Sequence, residues 1–228
     1  MREFCIVSLF MLFALGCASH SYNAEGMRYF GQARYDAAIT SFQSALRANP
    51  NDPNTLYNIA ATHHQSARAA LRSGHIATAQ QQYEQAVQHY QLCLAQAPNH
   101  VDAYRGLAAL YMDRQNPDAA FQLLINWNNA NPVSVEPKIE LARLYQEFAQ
   151  ISLLQGRTEV AQQCRDVAER LLQQVVDAEP MNYRALRALG FLKEQRGDIT
   201  GAVFDYRRSL QANSQQQDLE NRIAALTQ

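Results

Sequence analysis

Apolar residues recur with helical spacing through most of the 228-residue chain, and prolines interrupt this pattern at regular intervals. Pro50, Pro98, Pro132 and Pro180 each end a stretch of helical periodicity, and they are 48, 34 and 48 residues apart. The longer interval therefore equals the shorter one plus fourteen residues. The pattern predicts five consecutive units, each made of two helices, over residues 19–52, 53–100, 101–134, 135–182 and 183–216.

Small residues occupy equivalent positions in both helices of every unit. Two helices that cross at an axial distance of about 8–10 Å need small side chains where they touch. In the second helices these positions are Ala38, Ala86, Ala120, Ala168 and Ala202. In the first helices they are Gly26, Ala60, Ala108, Ala142 and Gly190. The repetition predicts five closely packed helical hairpins.

This combination of a 34-residue period, a small residue in each helix and a closing proline resembles the tetratricopeptide repeat. The resemblance implies an all-α fold, a right-handed α-solenoid of five hairpins, which covers residues 19–216. Leu219, Ile223 and Leu226 follow at helical intervals, and a solenoid needs a terminal helix that is apolar on one side only. We therefore expect residues 217–228 to form a capping helix.

The second and fourth units are expected to be elongated hairpins. Their turn glycines, Gly74 and Gly156, stand seven places later within the unit than a turn normally does, so each helix gains seven residues. Seven residues are close to two helical turns, and the apolar face therefore stays aligned. The spacing predicts unbroken helices from about residue 55 to 73 and from about 138 to 155.

The charge distribution excludes several classes of function. The net charge is −1, and Lys138 and Lys193 are the only lysines, so no basic run could neutralise nucleic-acid phosphates or dock on an anionic membrane. No catalytic motif occurs, and we expect neither an enzyme nor a cofactor. His63 and His64 are adjacent and point about 100° apart on a helix, which disfavours a metal site. We expect His63 to pack inside its hairpin and His64 to be exposed.

The N-terminus has the pattern of an export signal. Arg2 precedes an apolar stretch, residues 6–15, that is too short to span a membrane, and small residues follow. The sequence around Cys17 resembles a bacterial lipobox, which implies a signal peptide over 1–16 and a lipidated N-terminus at 17–18. Two alternatives remain. Ordinary cleavage after Ala18 would leave a soluble periplasmic protein, and an uncleaved N-terminus would keep the protein in the cytoplasm. Because Ala18 and Ser19 lack a retaining aspartate, the resemblance implies an outer-membrane anchor facing the periplasm.

A concave groove formed by the first helices is the expected partner surface, since tetratricopeptide proteins bind peptides there. The resemblance implies that Asn58 holds a peptide backbone, whereas the lysines with which some relatives hold a C-terminal carboxylate are absent. The expected groove residues are Phe30, Tyr57, Asn58, His64, Arg105, Met112, Glu140, Arg143, Arg187 and Phe191.

Together these features predict a non-catalytic scaffold that binds a protein or peptide at the bacterial cell envelope and contacts the membrane only through its N-terminal lipid. By analogy its role is similar to that of type IV pilus pilotins or outer-membrane assembly lipoproteins, which assist the assembly of an envelope complex. The alternative is an accessory subunit of an envelope enzyme, such as a peptidoglycan hydrolase.

Overall fold

A computed structural model describes residues 19–227, which form helices and connecting turns with no strand among them. Cys17 and the apolar leader lie outside the described residues. The helices are α1 over residues 19–31, α2 (Tyr35–Ala48), α3 (Pro53–Arg72), α4 (Ile76–Gln96), α5 (Val101–Asp113), α6 (Pro117–Ala130), α7 (Glu136–Leu154), α8 (Thr158–Ala178), α9 (Tyr183–Gln195), α10 (Ile199–Ala212) and α11 (Gln217–Leu226).

The helices form two compact units, one ending at Asn116 and the other beginning at Pro117. In the first unit α2 packs on α3, α3 on α4, and α4 on α5. In the second unit each helix from α6 to α11 packs on the next one along the chain. Within each unit, helices that are neighbours in sequence are thus neighbours in space, which is the arrangement of a helical repeat protein.

The predicted small positions are all buried, which confirms the all-α tetratricopeptide fold. Large side chains fill the space that the glycines leave. A Cβ atom at Gly26 would lie 2.4 Å from the ring of Phe42, and one at Gly190 would lie 2.5 Å from the ring of Tyr206. The close approach of the two helices therefore depends on these small residues.

The second and fourth hairpins are elongated, as predicted. The helices α3 and α7 run unbroken for 20 and 19 residues, and each ends at a turn that contains a glycine with positive φ. Those glycines, Gly74 and Gly156, have φ values of 77° and 74°. Ala33 and Gln115 adopt the same left-handed conformation at the turns after α1 and α5, although non-glycine residues are strained there.

Two hairpins contain a polar pair between their two helices. His63 on α3 lies 2.6 Å from Gln82 on α4, measured between Nδ1 and Oε1. Lys193 on α9 forms an ion pair of 2.6 Å with the buried Asp205 on α10. Because each polar side chain finds a partner on the opposing helix, both pairs are accommodated within the hairpins. His63 is buried, as expected.

Within residues 19–227, none of the helices combines the length and the apolar character that crossing a membrane requires.

Candidate partner-binding faces

The ten predicted groove residues fall into two groups, one in each unit. The first unit contains Phe30, Tyr57, Asn58, His64, Arg105 and Met112. The second unit contains Glu140, Arg143, Arg187 and Phe191.

In the first unit, Tyr57 and Asn58 form a polar and aromatic patch on α3. The ring of Tyr57 stacks on the ring of His100 with centroids 5.2 Å apart, and the imidazole of His100 also caps α5. Burial raises the pKa of Tyr57, so its hydroxyl is neutral and can donate a hydrogen bond. Asn58 is half-buried, and its side-chain amide has no hydrogen-bond partner among residues 19–227. This amide is therefore available to the backbone of a bound segment.

His64 is buried, and the expectation that it is exposed in a groove was wrong. Only 4% of the residue is exposed, because the side chain points at Asp113 on α5 and packs against the rings of Tyr83 and Tyr90. His64 Nε2 lies 2.8 Å from Asp113 Oδ2, and Arg68 forms two hydrogen bonds with the same carboxylate. The role of His64 is thus to join α3 to α5.

The pKa of Asp113 reflects this network. Burial alone would raise the pKa of the carboxyl, but the hydrogen bonds from His64 and Arg68 outweigh burial and hold the pKa at about 2. The carboxylate is therefore charged under all ordinary conditions, and its two partners stabilise the contact between α3 and α5.

The second unit has two adjoining cavities, of about 510 and 350 Å³, which share Gln146 on α7 and Phe191 on α9. The larger one, the α9–α11 cavity, is lined by Gln146, Arg184, Arg187, Ala188, Phe191, Tyr206, Asp218, Leu219 and Arg222. Arg143 lines the smaller one. Cavities of these volumes are in the range that binds small ligands or a few residues of a peptide.

Glu140 lies behind this face and is inaccessible to a partner, which corrects its place in the expected groove. Its side chain is 0% exposed. Arg143 Nε approaches Glu140 at 3.1 Å, and Arg184 Nη2 approaches it at 2.5 Å from the neighbouring α9. A buried carboxylate needs such partners, because an unpaired buried charge is costly. Glu140 therefore orients two arginines instead of contacting a ligand.

Two further arginines line the α9–α11 cavity, and their partners differ in exposure. Arg222 on α11 forms two hydrogen bonds with Glu194, which is only 11% exposed and also accepts a hydrogen bond of 2.9 Å from the hydroxyl of Tyr206. The hydrogen bond from Arg222 lowers the pKa of Glu194. Arg187 pairs instead with Asp218, and these side chains are 45% and 64% exposed.

Arg184, Asp218 and Arg222 also line the cavity but are not among the residues expected from the sequence. Arg184 could have been found, since it lies three residues before Arg187 and seven before Phe191, a spacing that puts all three on one helix face. The positions of Asp218 and Arg222 depend on how α11 packs. Leu219 of α11 lies in a buried cluster with Ala202 and Tyr206, and this contact turns both charged side chains towards the cavity.

The faces offer hydrogen-bond donors and aromatic surface. Within the described part of the chain, no three side chains of the metal-binding types converge. The arginine guanidinium groups can bind carboxylates in a bidentate manner, and the ring of Phe191 can cover an apolar side chain. This chemistry is suited to recognition of another chain.

Three family models match the sequence, all of them tetratricopeptide-repeat models. Two described as "Tetratricopeptide repeat" match residues 77–144 and 153–217, and one described as "TPR repeat" matches residues 26–66. The matched segments together cover more than half of the chain and include at least part of every predicted hairpin.

Among known proteins, the chain is 24% identical to a Drosophila melanogaster protein described as a BBSome complex member BBS4 homolog, over 89% of the chain. It spans only 38% of that relative's length. The fold is similar to that of a thermophilic tetratricopeptide-repeat protein from Thermus thermophilus, with a TM-score of 0.57, 24% identity, and coverage of 92% of this chain and 99% of that one.

A second similar structure is the human IFIT1 dimer with PPP-AAAA, with a TM-score of 0.54, 14% identity, and coverage of 90% of this chain and 50% of that one. At these identities the structural similarity concerns the fold. The repeated crossing residues, the stacked helices and the three matching repeat models agree, and the chain belongs to the tetratricopeptide-repeat family.

Proposed function

We propose that this protein is a non-catalytic scaffold that binds a protein or peptide at the bacterial cell envelope and assists the assembly of an envelope complex. The observation that carries the proposal is the face of α7, α9 and α11, where arginines and the half-exposed ring of Phe191 line two open cavities. Tetratricopeptide repeats are interaction modules, and such a face supplies both charge and apolar surface to a partner.

Two further observations support this scaffold role. The free amide of Asn58 gives the first unit its own means of holding an extended backbone. The fly relative is, by its description, a homolog of a BBSome complex member. Neither observation depends on charge, so a partner need not be acidic for the scaffold role to be correct.

We also propose that a lipid on Cys17 anchors the protein to the outer membrane, facing the periplasm. The support is the lipobox-like sequence before Cys17, together with the absence of an aspartate at Ala18 and Ser19. Two or more acyl chains are needed for stable anchoring, because a single chain binds a bilayer only reversibly. A lipoprotein modification supplies that number.

Growth of bacteria that express the protein with a labelled fatty acid tests the anchor. We expect label on the wild type and on Cys93→Ala, a control that changes a buried cysteine, and no label on Cys17→Ala. An unlabelled, soluble wild-type protein whose mature chain begins at Ser19 would replace the anchor with a free periplasmic scaffold.

Co-purification from detergent-solubilised membranes tests the scaffold role. A stoichiometric partner should accompany the wild type and the control Phe204→Ala, which removes an exposed ring of the second helix α10. The double variant Asn58→Ala, Phe191→Ala should lose most of it. Equal recovery with all three proteins would contradict the role of the first-helix faces. A partner with hydrolase activity would identify the protein as the accessory subunit of an envelope enzyme.

A further inference from the structure

The α9–α11 cavity has a positive lining, because its arginines line the cavity whereas most of the carboxylates that pair with them do not. Arg184, Arg187 and Arg222 line the cavity, whereas Asp218 is the one carboxylate among the described residues of its wall. The carboxylates that pair with Arg184 and Arg222 are Glu136, Glu140 and Glu194, which do not line it. A ligand entering the cavity therefore meets three guanidinium groups and one carboxylate.

The three arginines differ in how firmly they are held. Arg184 is fixed by the fully buried Glu140, and Arg222 by the largely buried Glu194, which Tyr206 also orients. Replacing either carboxylate by one from a ligand would leave a buried charge unpaired, so these two pairs persist on binding. They are positioned before a ligand arrives, which lowers the entropic cost of binding.

The Arg187–Asp218 pair is different because both side chains are well exposed to solvent. Exposed ion pairs contribute between about 0 and 1 kcal/mol, so a carboxylate from another chain can displace Asp218 at little cost. After displacement, Asp218 would be hydrated without a buried charge being created. Arg187 is thus the exchangeable member of the three.

We propose that the α9–α11 cavity is a carboxylate-exchange site for an acidic peptide. A side-chain carboxylate of the peptide displaces Asp218 from Arg187, and an adjacent apolar side chain of the peptide covers the ring of Phe191. This inference rests on the proposed function and names the chemistry of the partner. It differs from recognition of a C-terminal carboxylate by lysines, since the groups involved are arginines and the site already holds a carboxylate of the chain itself.

A second observation supports a ligand with hydrogen-bond acceptors. Gln146 Nε2, on a side chain that lines both cavities, is buried and has no acceptor, and the same is true of Arg143 Nη2 beside the smaller cavity. Buried donors without acceptors are uncommon in folded proteins. A modest rotation of either side chain would bring its donor to a carboxylate or backbone carbonyl of a bound peptide.

The test is calorimetric titration of the full chain, in a non-ionic detergent, with a twelve-residue peptide of alternating aspartate, leucine and serine. The peptide is acetylated and amidated, so that all its carboxylates belong to side chains. We expect saturable binding that weakens with salt. The same peptide with asparagine in place of aspartate should bind at least about tenfold more weakly.

Three variants distinguish the exchange site from general attraction. Arg187→Gln should weaken binding about tenfold, and Asp218→Asn should tighten it by up to about fivefold, the limit set by an exposed ion pair. Arg207→Gln, on α10 and outside both cavities, is the matched control and should leave affinity unchanged. Thermal unfolding of each variant verifies that the fold is retained.

Several outcomes would overturn the exchange site. They are absence of binding to the wild type, equal affinity for the aspartate and asparagine peptides, or equal affinity of Arg187→Gln and Arg207→Gln. An Asp218→Asn variant that binds more weakly than the wild type would also contradict displacement. If Arg187→Gln still co-purifies with the partner at wild-type levels, the scaffold role stands and the exchange site fails. The two proposals are therefore separable.

Discussion

The close crossing of α9 and α10 can be tested by adding a single methyl group at Gly190. In Gly190→Ala the new Cβ would lie 2.5 Å from Cδ1 of Tyr206, 2.6 Å from its Cε1 and 3.1 Å from the backbone oxygen of Ala202. The first two distances are far inside van der Waals contact. Either the ring or one of the helices must move.

The ring of Tyr206 has little room to withdraw. It is buried, its hydroxyl donates a hydrogen bond of 2.9 Å to Glu194, and Leu219 of α11 belongs to the same buried cluster. Overpacking of this kind costs about 1–3 kcal/mol. Alanine is a better helix former than glycine by up to about 1 kcal/mol, which offsets part of that cost. We expect a net loss of about 1–2 kcal/mol in the free energy of unfolding.

Urea denaturation followed by circular dichroism would measure this loss. Gly31→Ala is the matched control, because a Cβ at that position meets nothing within 4 Å, and its stability should equal or slightly exceed that of the wild type. In a Tyr206→Leu background the Gly190→Ala penalty should largely disappear, since the two positions are coupled. An equal loss of unfolding free energy in both backgrounds would refute the crossing geometry. A Gly190→Ala protein that is as stable as the wild type would refute it too.

Further predictions concern buried charge, pH and the turns. Glu140→Ala should reduce the free energy of unfolding by about 3 kcal/mol in urea denaturation. This is the low end of the range for a broken buried ion pair, because the arginines left without Glu140 can be partly hydrated. A loss below about 0.5 kcal/mol would contradict the anchoring role of Glu140. The pKa of Asp113 is about 2 in the folded protein against a usual 3.8. The contribution of this carboxylate to the stability of the fold is therefore complete above pH 4 and is lost as the pH falls towards 2. Asp113→Asn should accordingly destabilise the protein at pH 7 but not at pH 2, as measured by denaturant titration at each pH. Ala33→Gly should raise the free energy of unfolding and Gly156→Ala should lower it, each by about 1 kcal/mol or less in urea denaturation, because both residues have a left-handed backbone conformation. Changes of the same sign in the two variants would contradict the turn assignment.

Much of the fold could be predicted because the crossing positions repeat. A small residue at one crossing, such as Ala60, is weak evidence. A small residue at the crossing point of both helices in all five hairpins, however, determines the register of every helix. The turn glycines then indicated which hairpins are longer. The left-handed turns at Ala33 and Gln115 could not be predicted in this way, because neither residue type signals that conformation.

The candidate site was less predictable because it depends on pairs of residues far apart in sequence. His64 is buried by Asp113, 49 positions later, and Glu140 by Arg184, 44 positions later. Helical periodicity identifies the face on which a residue lies, but it does not identify the neighbour that covers it. Arg222 was missed for a related reason, since its position depends on how the capping helix docks.

Photo-crosslinking in cells tests most directly whether the first-helix faces bind the partner. Benzoylphenylalanine would replace Phe191, in the cavity wall of the first helix α9, or Phe204, exposed on the second helix α10. Both changes replace one exposed aromatic ring by another. We predict a discrete crosslinked product from position 191 that is several-fold more abundant than any product from position 204. Equal products from both positions, or a product from position 204 alone, would contradict the account.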